Sequence, residues 1–453
     1  MRYISTRGQT TPVAFTDAVL TGLAPDGGLL IPADIPNVAP HLDAWRDASF
    51  VELAKGVAGM FIDDIPAADL DVLVEQAYAE FDHPDVVPSV AVGDVQVLEL
   101  FHGPTLAFKD IALQLLGRLF AYILGARRQH LNILGATSGD TGSAAIAGVR
   151  GLAEVDIFIM YPKGRVSALQ ERQMTTVLDD NVHCLAVEGS FDDCQTLMKT
   201  LFADLDFKAR YRLGAVNSVN WARVLAQIVY YGYASLRFAG SQPVTFVVPT
   251  GNFGNVFAGF LAKRMGFPID QLVVATNEND ILARFFASGT YARGEVRYTT
   301  SPAMDIQVAS NFERFLYYHL EGDAERVRGF MTQFAEAGSA HVEPPSDADL
   351  VATAVSVPET EDAIRQIHAA TGYVADPHTA VGLVAAQRFP AAGTKICLAT
   401  AHPAKFPETV NAAVGADCAH HERLQALADL PTRSTTVPAD LAAIASFIER
   451  HAS

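Results

Sequence analysis

Six short apolar runs, each followed by a polar or glycine-rich turn and then by a helical pattern, constrain the fold more than any other feature. The runs occupy residues 131–134, 155–160, 182–187, 244–248, 272–276 and 395–399. Alternation of short strands with helices is typical of α/β proteins built on parallel sheets. The six units differ from one another in sequence, which argues against a solenoid of repeats. We therefore predict an α/β fold with parallel sheets.

A chain of 453 residues is too long for a single hydrophobic core and is expected to form two or three domains. Residues 1–95 contain turn clusters and amphipathic helical stretches, whereas the rhythm of strand, turn and helix begins near residue 95. We predict an N-terminal domain over residues 1–95, an α/β part over 96–230, and a second α/β part with a C-terminal extension over 231–453.

Composition and charge exclude several classes of partner. Half of the residues are hydrophobic and 19% are charged, which is typical of a globular protein. The net charge of −18, without a long basic run, argues against nucleic acid or an anionic membrane surface as a partner. Four cysteines without CxxC or zinc-type spacing are predicted to be free thiols in a reducing compartment. The N-terminus lacks an apolar signal segment and the apolar windows are short, so we predict a cytoplasmic protein.

Four polar motifs each follow the carboxyl end of a predicted strand. They read "GATSGDTG", "YPKGR", "PTGNFGN" and "TAHPAKF". Ligands of open α/β sheets bind in the crevice beyond the carboxyl ends of the strands. We therefore expect these four loops to line one cavity. His102, His378 and His402 lack metal-ligand spacing, so no metal site is predicted.

The loop "PTGNFGN" has the properties of a phosphate-binding turn. Gly251 and Gly254 flank Asn252 and Phe253 between a predicted strand and a predicted helix. Glycines let the backbone approach a ligand, and the start of a helix offers free N–H groups and partial positive charge. The loop is neither a Walker A sequence nor a Rossmann fingerprint, and a tight turn without any ligand explains it equally well.

The loops "GATSGDTG" and "YPKGR" carry further candidates. The hydroxyl groups of Ser138 and Thr141 suit a carboxylate or phosphate, although a helix N-cap is the simpler explanation. Asp140, in the same loop, would repel an anion. Lys163 and Arg165 are candidates for binding an anionic substrate, with a solvated loop as the alternative.

Lys109 stands at the first turn of a helix that is apolar on nearly all sides. Burial and the positive end of the helix dipole both disfavour its ammonium form. The neutral amine that results is the form needed for Schiff-base chemistry. Extension to solvent or pairing with Asp110 would be the alternative. A nucleophilic lysine combined with a phosphate-binding loop matches pyridoxal phosphate (PLP), which carries an aldehyde and a phosphate on one ring.

The motifs together resemble the threonine synthase family, in its longer bacterial and fungal form. The resemblance rests on "HGPTLAFKD", "SGDTGSAA", "PTGNFGN" and "TAHPAKF", with "YISTRG" and "GLAPDGGLLIP" near the N-terminus, in order over almost the whole chain. It implies the PLP-dependent fold type II, which is similar to the tryptophan synthase β subunit, with an additional N-terminal domain. It also implies conversion of O-phospho-L-homoserine and water to L-threonine and phosphate.

The resemblance assigns roles to individual residues. Lys109 is implied to bind PLP covalently and to move protons, and Thr400 to reach the pyridine nitrogen. The residues implied to hold the cofactor phosphate are Gly251, Asn252, Phe253 and Asn255. Those implied or inferred to bind the substrate are Ser138 and Thr141 for its carboxylate, and Lys163, Arg165 and Arg7 for its phosphate.

Asp140 departs from the asparagine that many enzymes of this fold carry in the same loop. An ionised aspartate cannot donate to the phenolate oxygen of PLP. We therefore predict that Asp140 shares a proton with the cofactor or points elsewhere.

Two alternatives to this function remain open from the sequence. One is a related PLP lyase, either a phosphohomoserine phospho-lyase or a serine/threonine dehydratase that forms a 2-oxo acid. The other is a non-catalytic metabolite-binding protein of the same fold. The sequence leaves open whether the protein is a monomer or a homodimer.

Overall fold

A computed structural model describes residues 1–137, 139–345 and 349–453. In chain order the strands are β1 (Tyr3–Ser5), β2 (Leu30–Pro32), β3 (Ser89–Val92), β4 (Val95–Glu99), β5 (Leu131–Ala136), β6 (Val155–Pro162), β7 (Val182–Glu188), β8 (Leu213–Gly214), β9 (Val244–Pro249), β10 (Ile269–Thr276), β11 (Thr290–Ala292), β12 (Ser339–His341), β13 (Leu350–Ala354), β14 (Lys395–Ala399) and β15 (Thr435–Pro438).

The helices alternate with these strands over most of the chain. They are α1 (Phe15–Thr21), α2 (Leu42–Trp45), α3 (Phe50–Phe61), α4 (Ala67–Tyr78), α5 (Lys109–Arg127), α6 (Asp140–Val149), α7 (Ala168–Thr175), α8 (Phe191–Ala203), α9 (Leu205–Arg210), α10 (Trp221–Phe238), α11 (Gly254–Met265), α12 (Ile281–Ser288), α13 (Phe312–His319), α14 (Ala324–Ala337), α15 (Val357–Thr371), α16 (Pro377–Arg388), α17 (Pro407–Val414), α18 (Glu422–Ala426) and α19 (Leu441–His451).

The strands form two principal sheets. The large sheet has the order β13-β10-β9-β14-β4-β3, and all its pairs are parallel except the β3–β4 hairpin. The small sheet has the order β15-β7-β6-β5-β8 and is parallel throughout. Strands β6 and β9 are buried along their whole length, as strands covered by helices on both faces must be. The predicted α/β fold with parallel sheets is confirmed, and each of the six predicted apolar runs forms a strand.

The order of the strands in each sheet differs from their order along the chain. The large sheet takes β4 from residues 95–99, ahead of the segment that forms most of the small sheet. The small sheet takes β15 from residues 435–438, close to the end of the sequence. Apolar pattern does not encode which sheet a strand joins, so this assignment could not be read from the sequence.

The N-terminal segment packs against the helices of the α/β region. The Tyr3 hydroxyl donates to the Phe61 carbonyl at 2.8 Å, which ties the first strand to α3. The ring of Phe50, on α3, meets that of Tyr233, on α10, edge-on at 5.5 Å. The buried guanidinium of Arg314 donates to the Leu30 carbonyl at 2.8 Å. Residues on both sides of position 95 therefore share one continuous core.

Helices α5 and α6 pack closely because two glycines face each other at their contact. A Cβ atom built on Gly117 would lie 1.8 Å from the Gly148 carbonyl oxygen. A Cβ atom on Gly148 would lie 2.5 Å from the Leu113 carbonyl oxygen. This contact sets the distance between α5, which begins at Lys109, and α6, which begins at Asp140.

The turn before α5 is fixed by hydrogen bonds on two sides. The buried carboxylate of Asp110 accepts from the backbone N–H and from the hydroxyl of Thr105, both at 2.7 Å. On the other side, the Phe108 N–H donates to the Thr400 carbonyl at 2.9 Å. Lys109 is thereby held next to the segment that follows β14.

None of the helices in the described part of the chain combines the length and the apolar character needed to cross a bilayer.

We expect Gly117→Ala to destabilise the protein by about 1–3 kcal/mol, because the added methyl group collides with the backbone of α6. Gly59→Ala is a matched control. Gly59 lies inside α3, no atom of the described residues comes within 4 Å of its Cβ position, and alanine there should stabilise the protein by about 0.5–1 kcal/mol. Denaturant midpoints of the two variants measure the difference. Equal midpoints would contradict the close helix contact.

A second prediction concerns the pH dependence of stability. Burial raises the pKa of Asp110 to about 6 from 3.8, against the bonds from Thr105 and the charge of Lys405. Ionisation of Asp110 therefore costs stability, with no cost below pH 3.8 and the full cost above about 6. Asp110→Asn can keep both contacts with Thr105 and removes this cost. As pH rises through this window, the variant should gain roughly 3 kcal/mol relative to the parent protein. Parallel midpoint curves against pH would contradict the assignment.

Candidate active site

Lys109 is a partly buried amine at the first position of α5. Its side chain is 11% exposed, and its Nζ atom lies 3.6 Å from Asp140 Oδ2 and 4.8 Å from the centre of the Phe108 ring. Burial lowers the pKa of Lys109 below its ordinary value of 10.5; the Asp140 carboxylate opposes this shift, and the Lys405 and Arg223 cations add to it. The amine is thus biased towards its neutral, nucleophilic form.

Asp140 stands beside Lys109 at the first position of α6. Its Oδ1 atom accepts from Lys405 Nζ at 3.0 Å and from Gln170 Nε2 at 2.9 Å. The preceding residue, Gly139, has φ of 151°, and a Cβ atom there would lie 2.6 Å from the Gln170 amide. Glycine at this position thus lets the loop bring Asp140 against its partners.

Asp140 is ionised despite its burial. Desolvation alone would raise the pKa of this carboxyl group, but the Lys405 and Lys109 charges and the Gln170 amide outweigh it and hold the pKa well below its usual range. The start of α6 also favours a negative charge at this position.

Lys405 is a site residue that the sequence analysis missed. Its side chain has no exposed surface, and its ammonium group donates to the Thr105 carbonyl and to Gln173 Oε1, both at 2.8 Å, as well as to Asp140. The residue belongs to the motif "TAHPAKF", from which only Thr400 was selected. The sequence feature that could have indicated a buried lysine is its place between Ala404 and Phe406 in a short apolar turn.

Arg223, on α10, is a second missed residue. It is 3% exposed, and its Nη1 atom donates to the Val216 carbonyl at 2.8 Å. Its buried Nε atom has no hydrogen-bond partner, and no carboxylate of the described ranges lies within ion-pair distance. Burial lowers the pKa of Arg223 to about 10, so the guanidinium stays charged at neutral pH. It is therefore a buried cation that an anionic ligand can neutralise.

The glycine loop between β9 and α11 has the geometry of an anion cradle. Phe253 is the N-cap of α11 with φ of 64°, and the first backbone bond of this helix runs from the Phe257 N–H to the Phe253 carbonyl. The N–H groups of the first turn therefore have no intrahelical acceptor. A Cβ atom on Gly251 would lie 2.5 Å from the Ala303 carbonyl oxygen, so only glycine allows this close approach.

Asn255, in the first turn of α11, presents a buried donor without an acceptor. Its Oδ1 atom accepts from the Tyr230 hydroxyl at 2.6 Å and from the Tyr231 hydroxyl at 2.8 Å. Burial raises the pKa of both phenols, so both hydroxyls remain protonated donors. The Nδ2 atom of Asn255 is buried and finds no partner among the described residues. A phosphate oxygen at the start of α11 would supply the missing acceptor.

The glycine loop and the start of α10 are tied together by one side chain. Asn311 Nδ2 donates to the Ser218 carbonyl at 3.1 Å and to the Asn252 carbonyl at 3.3 Å. Arg223 follows Ser218 closely in the chain. The structure therefore brings a buried cation and a phosphate-type cradle to the same region.

The remaining predicted residues lie in two kinds of place. Thr400 is buried and bonded through its carbonyl to the residue before Lys109, and Thr141 lies next to Asp140 in the first turn of α6. Ser138 falls outside the described residues. The other three candidates are exposed or already paired with a carboxylate. Lys163 is 51% exposed and lies 3.2 Å from Glu188, and Arg165 is exposed. Arg7 contacts Glu313 at 2.9 Å.

The histidines singled out in the sequence have structural partners. His378 Nδ1 contacts Asp376 Oδ1 at 2.8 Å, and its Nε2 atom accepts from the Ala303 N–H at 3.2 Å. His102 Nε2 contacts Glu99 Oε2 at 2.8 Å. Within the described ranges no group of three or more acidic, histidine or cysteine side chains could hold a metal ion.

Chemically, the site pairs a nucleophilic amine with an anion cradle. A neutral amine can attack a carbonyl carbon, and the glycine loop can bind a phosphate. These two functions match the aldehyde and the phosphate of PLP.

Three family models match the chain. The model described as pyridoxal-phosphate dependent enzyme matches residues 95–399. The models described as threonine synthase N terminus and threonine synthase C-terminal match residues 2–78 and 379–448.

Known relatives agree with these matches. Threonine synthase from Pseudomonas aeruginosa is 46% identical to this chain and the alignment covers 100% of this chain and 98% of the relative. Threonine synthase from Schizosaccharomyces pombe is 47% identical, with coverage of 91% and 89%. The crystal structure of PLP-bound threonine synthase from Brucella melitensis is similar with a TM-score of 0.96 and 45% identity, covering 100% of this chain and 99% of that one. This chain belongs to the threonine synthase family of PLP-dependent enzymes, as its motifs predicted.

Proposed function

We propose that this protein converts O-phospho-L-homoserine and water to L-threonine and phosphate with PLP as cofactor. The observation that carries the proposal is the amine of Lys109, held by Asp140 at 3.6 Å and biased to its neutral form. The relatives named threonine synthase, which align over nearly the whole chain, support the same reaction.

The residues present fit PLP. The buried Asn255 amide finds no acceptor in the part of the chain that the structure describes, and a phosphate would provide one; the cradle at Gly251 has no room for a side chain. Lys109 would hold the aldehyde carbon and Thr400 the ring nitrogen; Gly251, Asn252, Phe253 and Asn255 would hold the phosphate. When bound, PLP supplies an electron sink that acidifies the protons near the amino group of the substrate.

Lys109 is the proton-transfer group in this proposal. Its lowered pKa increases the unprotonated share of the amine, which can accept a proton and return it. Asp140 Oδ2 orients the amine. Because the Lys109 side chain is only 11% exposed, water competes poorly for the proton.

The substrate has two anionic ends that need separate partners. The start of α6, with Thr141 in its first turn, suits the carboxylate, and Ser138 stays a prediction there. Arg223 is the candidate that the structure adds for the phosphate, since its guanidinium is buried and no carboxylate among the described residues pairs with it. Lys163 and Arg165, exposed to solvent, stay weaker predictions.

Several other assignments stay predictions. Arg7 is a substrate-binding candidate whose guanidinium already contacts Glu313. A proton shared between Asp140 and the cofactor also stays a prediction. The contacts of Asp140 with Lys109 and Lys405 explain the position of this carboxylate without such a proton. We also propose a cytoplasmic monomer or homodimer that binds no nucleic acid, with divisions of the chain near residues 95 and 230.

Product analysis with O-phospho-L-homoserine tests the function. We expect L-threonine and phosphate in equal amounts from a yellow protein whose chromophore borohydride fixes to Lys109. Lys109→Ala should lose both turnover and the fixed chromophore, because the neighbouring amine, Lys405, is fully buried and bonded to three acceptors. Lys263→Ala is the control: that lysine pairs with Asp349 at 2.7 Å and should have little effect.

Other products would favour the alternatives. Ammonia and a 2-oxo acid as the main products would identify a related PLP lyase. A colourless protein that gains neither colour nor turnover with added PLP would identify a metabolite-binding protein.

The phosphate-binding candidates can be compared directly. Arg223→Met should raise KM for O-phospho-L-homoserine roughly 10- to 100-fold, since a charge-assisted bond contributes about 1.5–3 kcal/mol. Lys163→Met should change KM little, because this exposed ammonium already pairs with Glu188. Inhibition by inorganic phosphate should weaken in Arg223→Met only. A large effect of Lys163→Met with none of Arg223→Met would reverse the assignment.

A further inference from the structure

The charged groups around Lys109 do not balance. The charges of Lys405 and Arg223 both act on Lys109, and Asp140 is the carboxylate in contact with the two lysines. When Lys109 carries a proton, these four groups have three positive charges and one negative charge; the Asp110 carboxylate, ionised above about pH 6, acts on Lys405. When Lys109 is neutral, Lys405 and Asp140 form a neutral pair and only Arg223 is left to be matched by an anionic ligand.

Two further titratable groups face Lys405. Asp110 is buried and bonded by Thr105, and burial raises its pKa to about 6. His402 precedes Lys405 in the same turn, and burial together with the nearby His421 ring lowers its pKa to about 4, so the ring is neutral at pH 7. Neither of these groups contacts Lys109 by hydrogen bond or ion pair.

Lys405 contacts Asp140 directly, and its charge also acts on Lys109 through space. Its ammonium group has three acceptors, which matches its three N–H bonds, and its side chain has no exposed surface. It therefore has no donor left for a substrate or a cofactor. Its carbonyl and amide partners, Thr105 and Gln173, hold it in one position.

The two oxygens of Asp140 are divided between the two lysines. Oδ1 is occupied by Lys405 at 3.0 Å and by Gln170 at 2.9 Å. Oδ2 lies 3.6 Å from Lys109 Nζ. The first oxygen is thus saturated, and the second is directed to the reactive amine.

We propose that Lys405 is a positioning residue that occupies one oxygen of Asp140, reserves the other for the Lys109 amine, and keeps that amine free of a permanent proton. The carboxylate orients the amine, while the fixed ammonium cancels the charge that would otherwise retain a proton on Lys109. The proposal deepens the proposed function, and its test reads the proton on Lys109 directly.

Two single variants should shift the basicity of Lys109 in opposite directions. Lys405→Met leaves the carboxylate matched only by Lys109, so the pKa of the amine should rise by about one pH unit or more. Asp140→Asn removes the carboxylate and should lower the pKa of the amine. The double variant Lys405→Met/Asp140→Asn removes one charge of each sign and should return the pKa of Lys109 towards that of the parent protein.

The primary measurement uses the full-length chain stripped of PLP. Competitive labelling with acetic anhydride over a range of pH values, with the Lys109 peptide quantified by mass spectrometry, gives the pKa of the amine without substrate or turnover. The rate at which added PLP restores the chromophore should follow the same order, since only the neutral amine reacts. In the holoenzyme, the pH profile of kcat should shift in the same directions.

Lys395→Met is the matched control. That lysine also contacts a carboxylate and a carbonyl, Asp94 at 2.9 Å and Ala386 at 3.1 Å, and lies outside the site. It should leave the labelling profile of Lys109 unchanged.

Shifts of the same sign in both single variants, or a parental profile in Lys405→Met, would overturn the proposal. If Lys405→Met does not fold, the isosteric Asp140→Asn still decides: an unchanged pKa of Lys109 in that variant would overturn it. If the parent protein forms no threonine while the variants show the predicted labelling shifts, the proposed function alone is contradicted.

Discussion

The contact between Asp140 and its two lysines is the interaction on which the site depends. A buried carboxylate is costly unless its charge is matched and its oxygens are hydrogen-bonded. Here Lys405 and Gln170 meet one oxygen, and the other faces Lys109. The arrangement keeps a negative charge in the interior at low cost while leaving the reactive amine without a fixed proton.

The surrounding scaffold places these groups by close backbone contacts. Gly117 and Gly148 bring α5 and α6 together, so that the helices beginning at Lys109 and Asp140 start side by side. Thr400 fixes the residue before Lys109 through a backbone hydrogen bond. Neither contact involves a catalytic side chain, yet both determine the distance between amine and carboxylate.

Sequence patterns predicted the parts of this structure that depend on local order. The apolar runs formed strands because burial on both faces requires mostly apolar residues, as in β6 and β9. The position of Lys109 at the start of a buried helix was likewise visible, because the apolar pattern and the turn residues lie next to each other. The motifs in order were sufficient to identify the family.

Partners that are distant in sequence could not be predicted. Lys405 and its acceptor Thr105 are 300 residues apart, and no local pattern relates them. Arg223 lies in α10, and an arginine in a largely apolar helix gives no sign of whether its side chain reaches solvent. The exposure of Lys163 could not be predicted either, because the sequence around a cation that follows a strand is the same whether its side chain faces a ligand or solvent.

Lys405 also joins two layers of the molecule. It follows β14 of the large sheet, whereas Gln173 and Asp140 lie on α7 and α6, between strands of the small sheet. Separating these groups would leave the buried Lys405 ammonium without its partners, which is strongly unfavourable. A rotation of one sheet against the other is therefore least costly when its axis passes close to Lys405.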